Sequence, residues 1–247
     1  MILLLDIGNT HTHLGFSAGG KLRRTLDVAT HSWFAGKGTT DLDQFLAGHR
    51  PEAAALCSVV PDATPLAVLA VQQIAKVDPL ELTSKTVRGI GIDYPKPQTI
   101  GPDRLANALA ARHLFGAPAV VVDFGTAVTF DVLDGRGNYV GGIIAPGLNV
   151  MTDYLHEKTA LLPKIKMRET RAVIGKSTQQ AMLIGAVRGY RGLIRELVKA
   201  LGSELKARRL RVIATGGYAK LIASGLPEIT AVRPHLTLEG LQIFLQQ

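Results

Sequence analysis

Two aspartates, Asp6 and Asp123, close short apolar runs, and each is followed by glycine and then by small hydroxyl or amide residues: Asp6-Ile-Gly-Asn-Thr10 and Asp123-Phe-Gly-Thr-Ala127. That combination suits a phosphate and its metal. Glycine lets the backbone approach a ligand closely, successive amide N–H groups in the turn can donate to phosphate oxygens, and the carboxylate offers Mg²⁺ a hard oxygen ligand directly or through water. One such turn alone reads equally well as a β-turn held by an Asx contact. A third acid, Asp103, precedes Arg104 at the start of an apolar-periodic segment. A carboxylate within hydrogen-bond reach of a hydroxyl can take its proton, and a guanidinium can donate two parallel hydrogen bonds to a planar anion such as a carboxylate. The plainer readings are a helix N-cap for Asp103 and a surface ion pair for Arg104.

The first two turns are related by a repeat. Asp123 follows Asp6 by 117 residues, and at the same offset Gly8 pairs with Gly125, Thr12 with Thr129 and Gly20 with Gly137, so a hairpin turn recurs at the same distance from each acid. The elements around them follow from periodicity and breakers. Strands are predicted over 2–6, as a hairpin over 11–28 broken at Gly19-Gly20, over 53–60, 120–122 and 211–214. Helices are predicted over 41–46, 62–76, 104–115 with Asp103 as cap, 149–162, 178–201, briefly after Thr215-Gly-Gly217, and from Leu238 to the end. A Gly- and Pro-rich loop spans 89–102. A duplicated three-stranded unit followed by alternating helices and strands implies two similar α/β lobes, expected at 1–110 and 111–247 with the boundary inside 101–120, and a cleft between them. Two acids facing one cleft have the geometry to hold a nucleoside triphosphate.

Composition narrows the class. A chain of 247 residues with 47% hydrophobic and 19% charged residues can bury a full core, which excludes general disorder. Cys57 is the only cysteine, so an intramolecular disulfide is excluded. The run Met1-Ile-Leu-Leu-Leu5 is too short for a signal peptide, and no apolar stretch is long enough to span a membrane, so a soluble cytoplasmic protein is expected. The net charge of +8 favours anionic partners. Much of it lies in Lys164, Lys166, Arg168, Arg171 and Lys176, and in Lys206, Arg208, Arg209 and Arg211. No aromatic residues interleave these clusters as a strand-binding platform would require, so they read as solvated surface and nucleic acid is not expected as a partner.

Taken with Thr215-Gly-Gly217, the two acidic turns resemble those of the superfamily of acetate and sugar kinases, Hsp70 and actin. Within it, Ser58-Val-Val-Pro61, Gly101-Pro-Asp-Arg104, Gly141-Gly-Ile-Ile-Ala-Pro-Gly147, Thr159-Ala-Leu-Leu-Pro163, Gly175-Lys-Ser-Thr178 and Leu236-Thr-Leu-Glu-Gly240 resemble the type III pantothenate kinases, in order along essentially the whole chain. The resemblance implies an α/β fold of two ribonuclease-H-like lobes, an actin-like ATPase fold, in a homodimer that phosphorylates pantothenate with ATP on the way to coenzyme A. It implies a phosphate loop for ATP at Asp6, Ile7, Gly8, Asn9, Thr10, His11, Thr12 and His13, with Asp6 handling Mg²⁺, and a further ATP contact at Thr126. It places pantothenate against Tyr94, Gly101, Pro102, Asp103, Arg104 and Thr178, with Asp103 as proton acceptor. Asp123 falls at the position of a ligand for a monovalent cation, K⁺ or NH₄⁺. Helical regions 149–162 and 178–201 are implied to help form the dimer interface. Two other readings remain beside it: a kinase of this fold acting on another small hydroxy acid, and a regulatory protein that has kept the fold without catalysis.

Several residues carry plainer readings. His11 and His13 point the same way on a strand, but no third soft ligand lies near them in sequence. Cys57 reads as a small buried hydrophobe, Trp33 has no neighbours that suggest stacking, and the methionines read as core filler.

Overall fold

The computed structural model describes all 247 residues and divides them into two units, Met1–Leu114 with Leu236–Gln247, and Phe115–His235. In the first, β1 (Ile2–Ile7), β2 (His11–Ala18) and β3 (Lys21–Ala29) form an antiparallel meander, while β4 (Ala53–Ser58) lies parallel to β1 and β5 (Pro79–Glu81) parallel to β4. The order is β3-β2-β1-β4-β5, with α1 (Lys37–Leu46) and α2 (Thr64–Ala75) following β3 and β4 in the chain. A two-residue strand, β6 (Gly91–Ile92), interrupts the Gly- and Pro-rich loop, and α3 (Pro102–Phe115) follows. Central β1 is a continuous apolar run because both its faces are covered: Leu3, Leu4, Leu5 and Ile7 are completely buried. Edge strand β3 instead exposes Lys21, Arg23, Arg24 and Asp27, a charged border that discourages pairing with another strand.

The second unit repeats the plan. β7 (Ala119–Phe124), β8 (Ala127–Leu133) and β9 (Asn138–Pro146) form the meander, and β10 (Arg211–Thr215) and β11 (Ala231–Val232) extend it in the order β11-β10-β7-β8-β9. The uniform offset seen in sequence fails on the middle strand. Asp6 pairs across the sheet with His13, whereas Asp123 pairs with Thr129, because the turn after β7 is one residue shorter than the turn after β1. The structural counterpart of Thr129 is therefore His13, not Thr12. A longer turn between β8 and β9 restores the offset, and Gly20 and Gly137 both take the left-handed conformation their turns need.

Helix α4 (Leu148–Glu157) stops well short of the expected Leu162. Residues 158–177 form neither helix nor strand, as the proline at 163 requires of the residue before it. The long helical region is α5 (Thr178–Ile184), a π-helical turn over Gly185–Gly189, and α6 (Tyr190–Glu204). Tyr190 is buried, and its hydroxyl donates to the Pro146 carbonyl at 3.1 Å. A short α7 (Ala219–Ala223) packs against β10 and β11.

The last helix, α8 (Leu236–Phe244), departs from the expected lobe assignment, because it packs on β1, β2 and β4 of the first unit. Two glycines make that docking possible: a Cβ at Gly15 would lie 3.0 Å from Leu238 Cδ1, and one at Gly240 would lie 2.1 Å from the Ala106 carbonyl oxygen of α3. The seam is also polar. Thr237 donates to Asn107 Oδ1 at 2.9 Å in the interior, and Ser17 donates to Gln242 Oε1 at 2.9 Å.

The irregular segment 158–177 is tied down through Glu169. Arg191 of α6 donates to both carboxylate oxygens, at 3.0 and 2.6 Å, and Ser224 adds a bond at 3.2 Å. The Arg191 hydrogen bonds, together with those from Ser224 and the Thr170 amide, hold the Glu169 carboxyl at about 2. A depressed carboxylate stabilises above its unfolded value and loses that contribution as pH falls toward the folded one, so the anchor should persist from neutral pH down to the acid range. Glu169→Gln should leave the fold intact and speed trypsin cleavage at Lys164, Lys166, Arg168 or Arg171 by about 2–5-fold at pH 7, the scale of a half-exposed ion pair. Unchanged cleavage kinetics at these sites would show that other contacts hold the segment.

Candidate active site

In the first unit the fold brings three residues distant in sequence to one place. Asp6, at the end of β1, pairs in register with Cys57 of β4, whose thiol donates to Asp6 Oδ1 at 3.4 Å. The first turn of α3 brings Asp103 close enough for its charge to act on the same thiol. Burial first, and then the charges of Asp6 and Asp103, push the Cys57 thiol well above its ordinary value. The sulfur therefore keeps its proton and remains a donor to Asp6. Cys57 is fully buried, as expected, but it is no inert hydrophobe.

Asp103 is not the helix cap that the sequence suggested: it lies inside the first turn, after Pro102. Its Oδ1 accepts from the Arg104 amide at 2.9 Å, and a Cβ at Gly101 would lie 2.4 Å from that oxygen. Glycine at 101 thus makes room for the carboxylate, and Pro102 opens the helix where no N–H is needed. Burial raises the Asp103 pKa, with the amide and charge of Arg104 pulling it partly back. A carboxylate so placed is a better base than one in water. Tyr94 is 37% exposed, on the loop that leads to this turn.

The loop between β1 and β2 is held by its own backbone: the Gly8 amide donates to the His11 carbonyl at 3.0 Å, and the Thr10 carbonyl accepts from the Thr30 amide at 3.0 Å. Asn9 and Thr10 are exposed at its tip. Ile7 is buried in the core, so only its backbone can serve a ligand, and Thr12 is also fully buried with its hydroxyl turned inward. His13 bonds Asp27 at 2.7 Å, and its ring centroid lies 6.4 Å from that of His11. No three His, Cys, Asp or Glu side chains are grouped so that they could hold a metal ion among themselves. A single strand-end carboxylate such as Asp6 does fit Mg²⁺, which keeps water and substrate phosphates as its remaining ligands. The nearby Ser58 serves a turn: its Oγ accepts from the Val60 amide at 3.1 Å and from Thr64 Oγ1 at 2.7 Å.

The second unit assembles its own cluster at the end of β7. Gly216, at φ +86°, passes so close to Asp123 that an added Cβ would lie 2.5 Å from Oδ1. The Gly147 amide donates to the Thr126 carbonyl at 3.1 Å, and a Cβ there would sit 2.2 Å from the same oxygen. Gly216 of the Thr215-Gly-Gly217 motif and Gly147 of the 141–147 motif are thus needed for close approach to Asp123 and Thr126 respectively. Thr178 is exposed at the first position of α5, behind a cap in which Ser177 Oγ accepts from the Gln180 amide at 3.2 Å and Gln180 Oε1 accepts from the Lys176 amide at 2.7 Å. Cys57 carries no chemical signature in sequence, and for Gly147 and Gly216, which lie in sequence motifs, only packing shows which neighbour each approaches.

The profile of the type III pantothenate kinase family matches residues 2–200. A type III pantothenate kinase of Akkermansia muciniphila is 48% identical over 244 residues, covering 98% of this chain and 96% of its own length. One of Methylacidiphilum infernorum is 40% identical, covering 98% and 87%. Among solved structures, a Sinorhizobium meliloti protein assigned as a 2-dehydro-3-deoxygalactonokinase superposes with a TM-score of 0.62 at 14% identity, over 100% of this chain and 96% of that one. The activator of 2-hydroxyisocaproyl-CoA dehydratase from Clostridium difficile, with bound ADPNP, gives 0.52 at 13%, over 99% and 94%.

Proposed function

Since this chain belongs to the type III pantothenate kinase family, we propose a role for each residue of the site in the reaction it catalyses, the ATP-dependent phosphorylation of pantothenate that opens coenzyme A biosynthesis. The fold is the α/β fold of actin-like ATPases and sugar kinases. The observation that carries the assignment is the convergence of Asp6 and Asp103 on Cys57. Asp6 is suited to a metal-bound phosphate and Asp103 to a hydroxyl proton, and the charges of both act on the same thiol.

Arg104 receives the pantothenate carboxylate, with Tyr94, Gly101, Pro102 and Thr178 as further substrate contacts. Asp103 takes the proton of the primary hydroxyl as its oxygen attacks the γ-phosphorus, and the bond to ADP breaks on the opposite side. Because the transition state of phosphoryl transfer is loose, holding these groups in line contributes more than proton removal does. The exposed loop tip at Asn9 and Thr10 and the contact at Thr126 hold the ATP phosphates, while the Gly8 amide, donated to the His11 carbonyl, fixes the turn. Asp6 would hold Mg²⁺ and Asp123 a monovalent cation, K⁺ or NH₄⁺; these ions supply charge neutralisation on the bound anions. We also place a homodimer here, supported by the exposed apolar residues Val150, Met151, Tyr154 and Leu155 of α4. No helix is long and apolar enough to cross a membrane.

The test is ADP release coupled to a reporter, with and without pantothenate, across Mg²⁺, K⁺, NH₄⁺ and Na⁺. Release should require pantothenate and Mg²⁺ and rise strongly with K⁺ or NH₄⁺. Equal rates in K⁺, Na⁺ and an organic buffer would remove the role of Asp123, and preference for another hydroxy acid would remove those of Tyr94 and Thr178. Light scattering at assay concentration checks the dimer, which a fully active monomer would refute.

A further inference from the structure

We propose that Thr30 is a positioning residue for the phosphate loop, the last link of a buried hydrogen-bond chain that runs from Trp33 to the Gly8 carbonyl. This rests on the reading of that loop as the ATP site. Three side chains far from solvent carry it: Thr12, Thr30 and Trp33 are 0%, 1% and 3% exposed. Trp33 Nε1 lies 2.9 Å from Thr12 Oγ1, Thr12 Oγ1 lies 3.1 Å from Thr30 Oγ1, and Thr30 Oγ1 lies 2.6 Å from the Gly8 carbonyl oxygen.

Donor counting fixes the direction of every bond. An indole N–H can only donate and a carbonyl can only accept, while each hydroxyl has one proton. The Thr30 proton therefore goes to Gly8, the Thr12 proton goes to Thr30, and Thr12 accepts from Trp33. The chain has a single polarity, and successive bonds of this kind strengthen one another in a low-dielectric interior. Thr30 also holds the loop from a second side, since its amide donates to the Thr10 carbonyl at 3.0 Å. One residue thus fixes the carbonyls at both ends of Gly8-Asn9-Thr10, a loop whose tip at Asn9 and Thr10 is exposed. The far end is seated as firmly: a Cβ at Gly38 would come within 2.6 Å of the Trp33 ring, so only glycine admits the indole there.

A loop pinned from behind binds phosphate without first being ordered, so the brace should act on ATP and not on pantothenate. Thr30→Val keeps the shape and removes the hydroxyl. It takes the side-chain donor from the half-buried Gly8 carbonyl and should raise the KM for ATP by roughly 5–50-fold, with the KM for pantothenate changed less than about twofold. Thr30→Ser, which retains the donor, should restore most of the loss. Trp33 is the only tryptophan, so its emission reports the chain directly: ATP should alter it in the parent and much less in Thr30→Val. Asp6→Asn and Asn9→Pro, the second of which removes a backbone amide at the loop tip, run alongside. If they weaken ATP binding while folded Thr30→Val does not, the brace is overturned and the loop reading stands. If none of the three changes ATP binding, the loop reading falls and the brace with it. Should Thr30→Val fail to fold, Trp33→Phe removes the first donor of the chain, and an unchanged KM for ATP in that variant overturns the proposal.

Discussion

Asp103→Asn should lower kcat by about 10²–10⁴-fold, the usual worth of a general base, with substrate binding little altered. Asparagine keeps the size, and its Oδ1 can still accept from the Arg104 amide, as Asp103 does at 2.9 Å. The lower part of the range is expected, because the hydroxyl proton leaves late in a loose transition state. Stability should move the other way. Burial raises the folded pKa of Asp103, so its contribution is fully present below the unfolded value and is lost as pH rises through the folded one. Ionising Asp103 therefore costs the native protein more than it costs the unfolded chain, a penalty that neutral asparagine does not carry. Calorimetry at pH 7 should find Asp103→Asn at least as stable as the parent, the signature of a group kept for activity. The same raised pKa predicts that the acidic limb of the parent's kcat/KM profile lies above the ordinary carboxylate range. Near-normal kcat in the folded variant would reduce Asp103 to a helix-turn residue.

Arg104→Ala should act on the neighbouring substrate. Removing one partner of a desolvated charge pair costs about 2–5 kcal/mol, so the KM for pantothenate should rise by roughly 30-fold or more while the dependence on ATP stays close to the parent's. A second effect separates this role from a merely structural one. The Arg104 charge lowers the Asp103 pKa. Its removal should move the acidic limb of the profile further up, in the direction set by burial alone. Titration of initial rates against pantothenate and pH checks both, and an unchanged KM with an unshifted limb would leave Arg104 as a surface cation.

Much of this site was legible in the order of residues. Asp6-Ile-Gly-Asn-Thr10, its repeat at Asp123 and the Gly101-Pro-Asp-Arg104 turn are suited by residue type to phosphate and hydroxyl chemistry, and the family resemblance turns that suitability into roles. The alternating apolar runs placed the two meanders and most helices, because a strand or helix face is written in local periodicity. What periodicity cannot report is which faces meet. The last helix reads as part of the second lobe because it follows it in the chain, yet it docks on the first sheet, where Gly15 and Gly240 admit it. The one-residue slip that pairs Asp123 with Thr129 is invisible to a constant offset, since turn length is settled by closure of the hairpin.

The sequence by itself determined the class of chemistry, the duplicated α/β plan and the identity of the charged groups, because each depends on side-chain type and short spacing. The tertiary structure alone decided that Cys57 donates to Asp6, that Asp103 lies within its helix, and that Thr12 turns inward to Thr30 and Trp33. Those contacts join residues as far apart as 51 positions along the chain. They exist only because burying the apolar faces of β1, β4 and the neighbouring helices brings distant backbone together, and buried polar groups must then find partners among whatever packing has delivered.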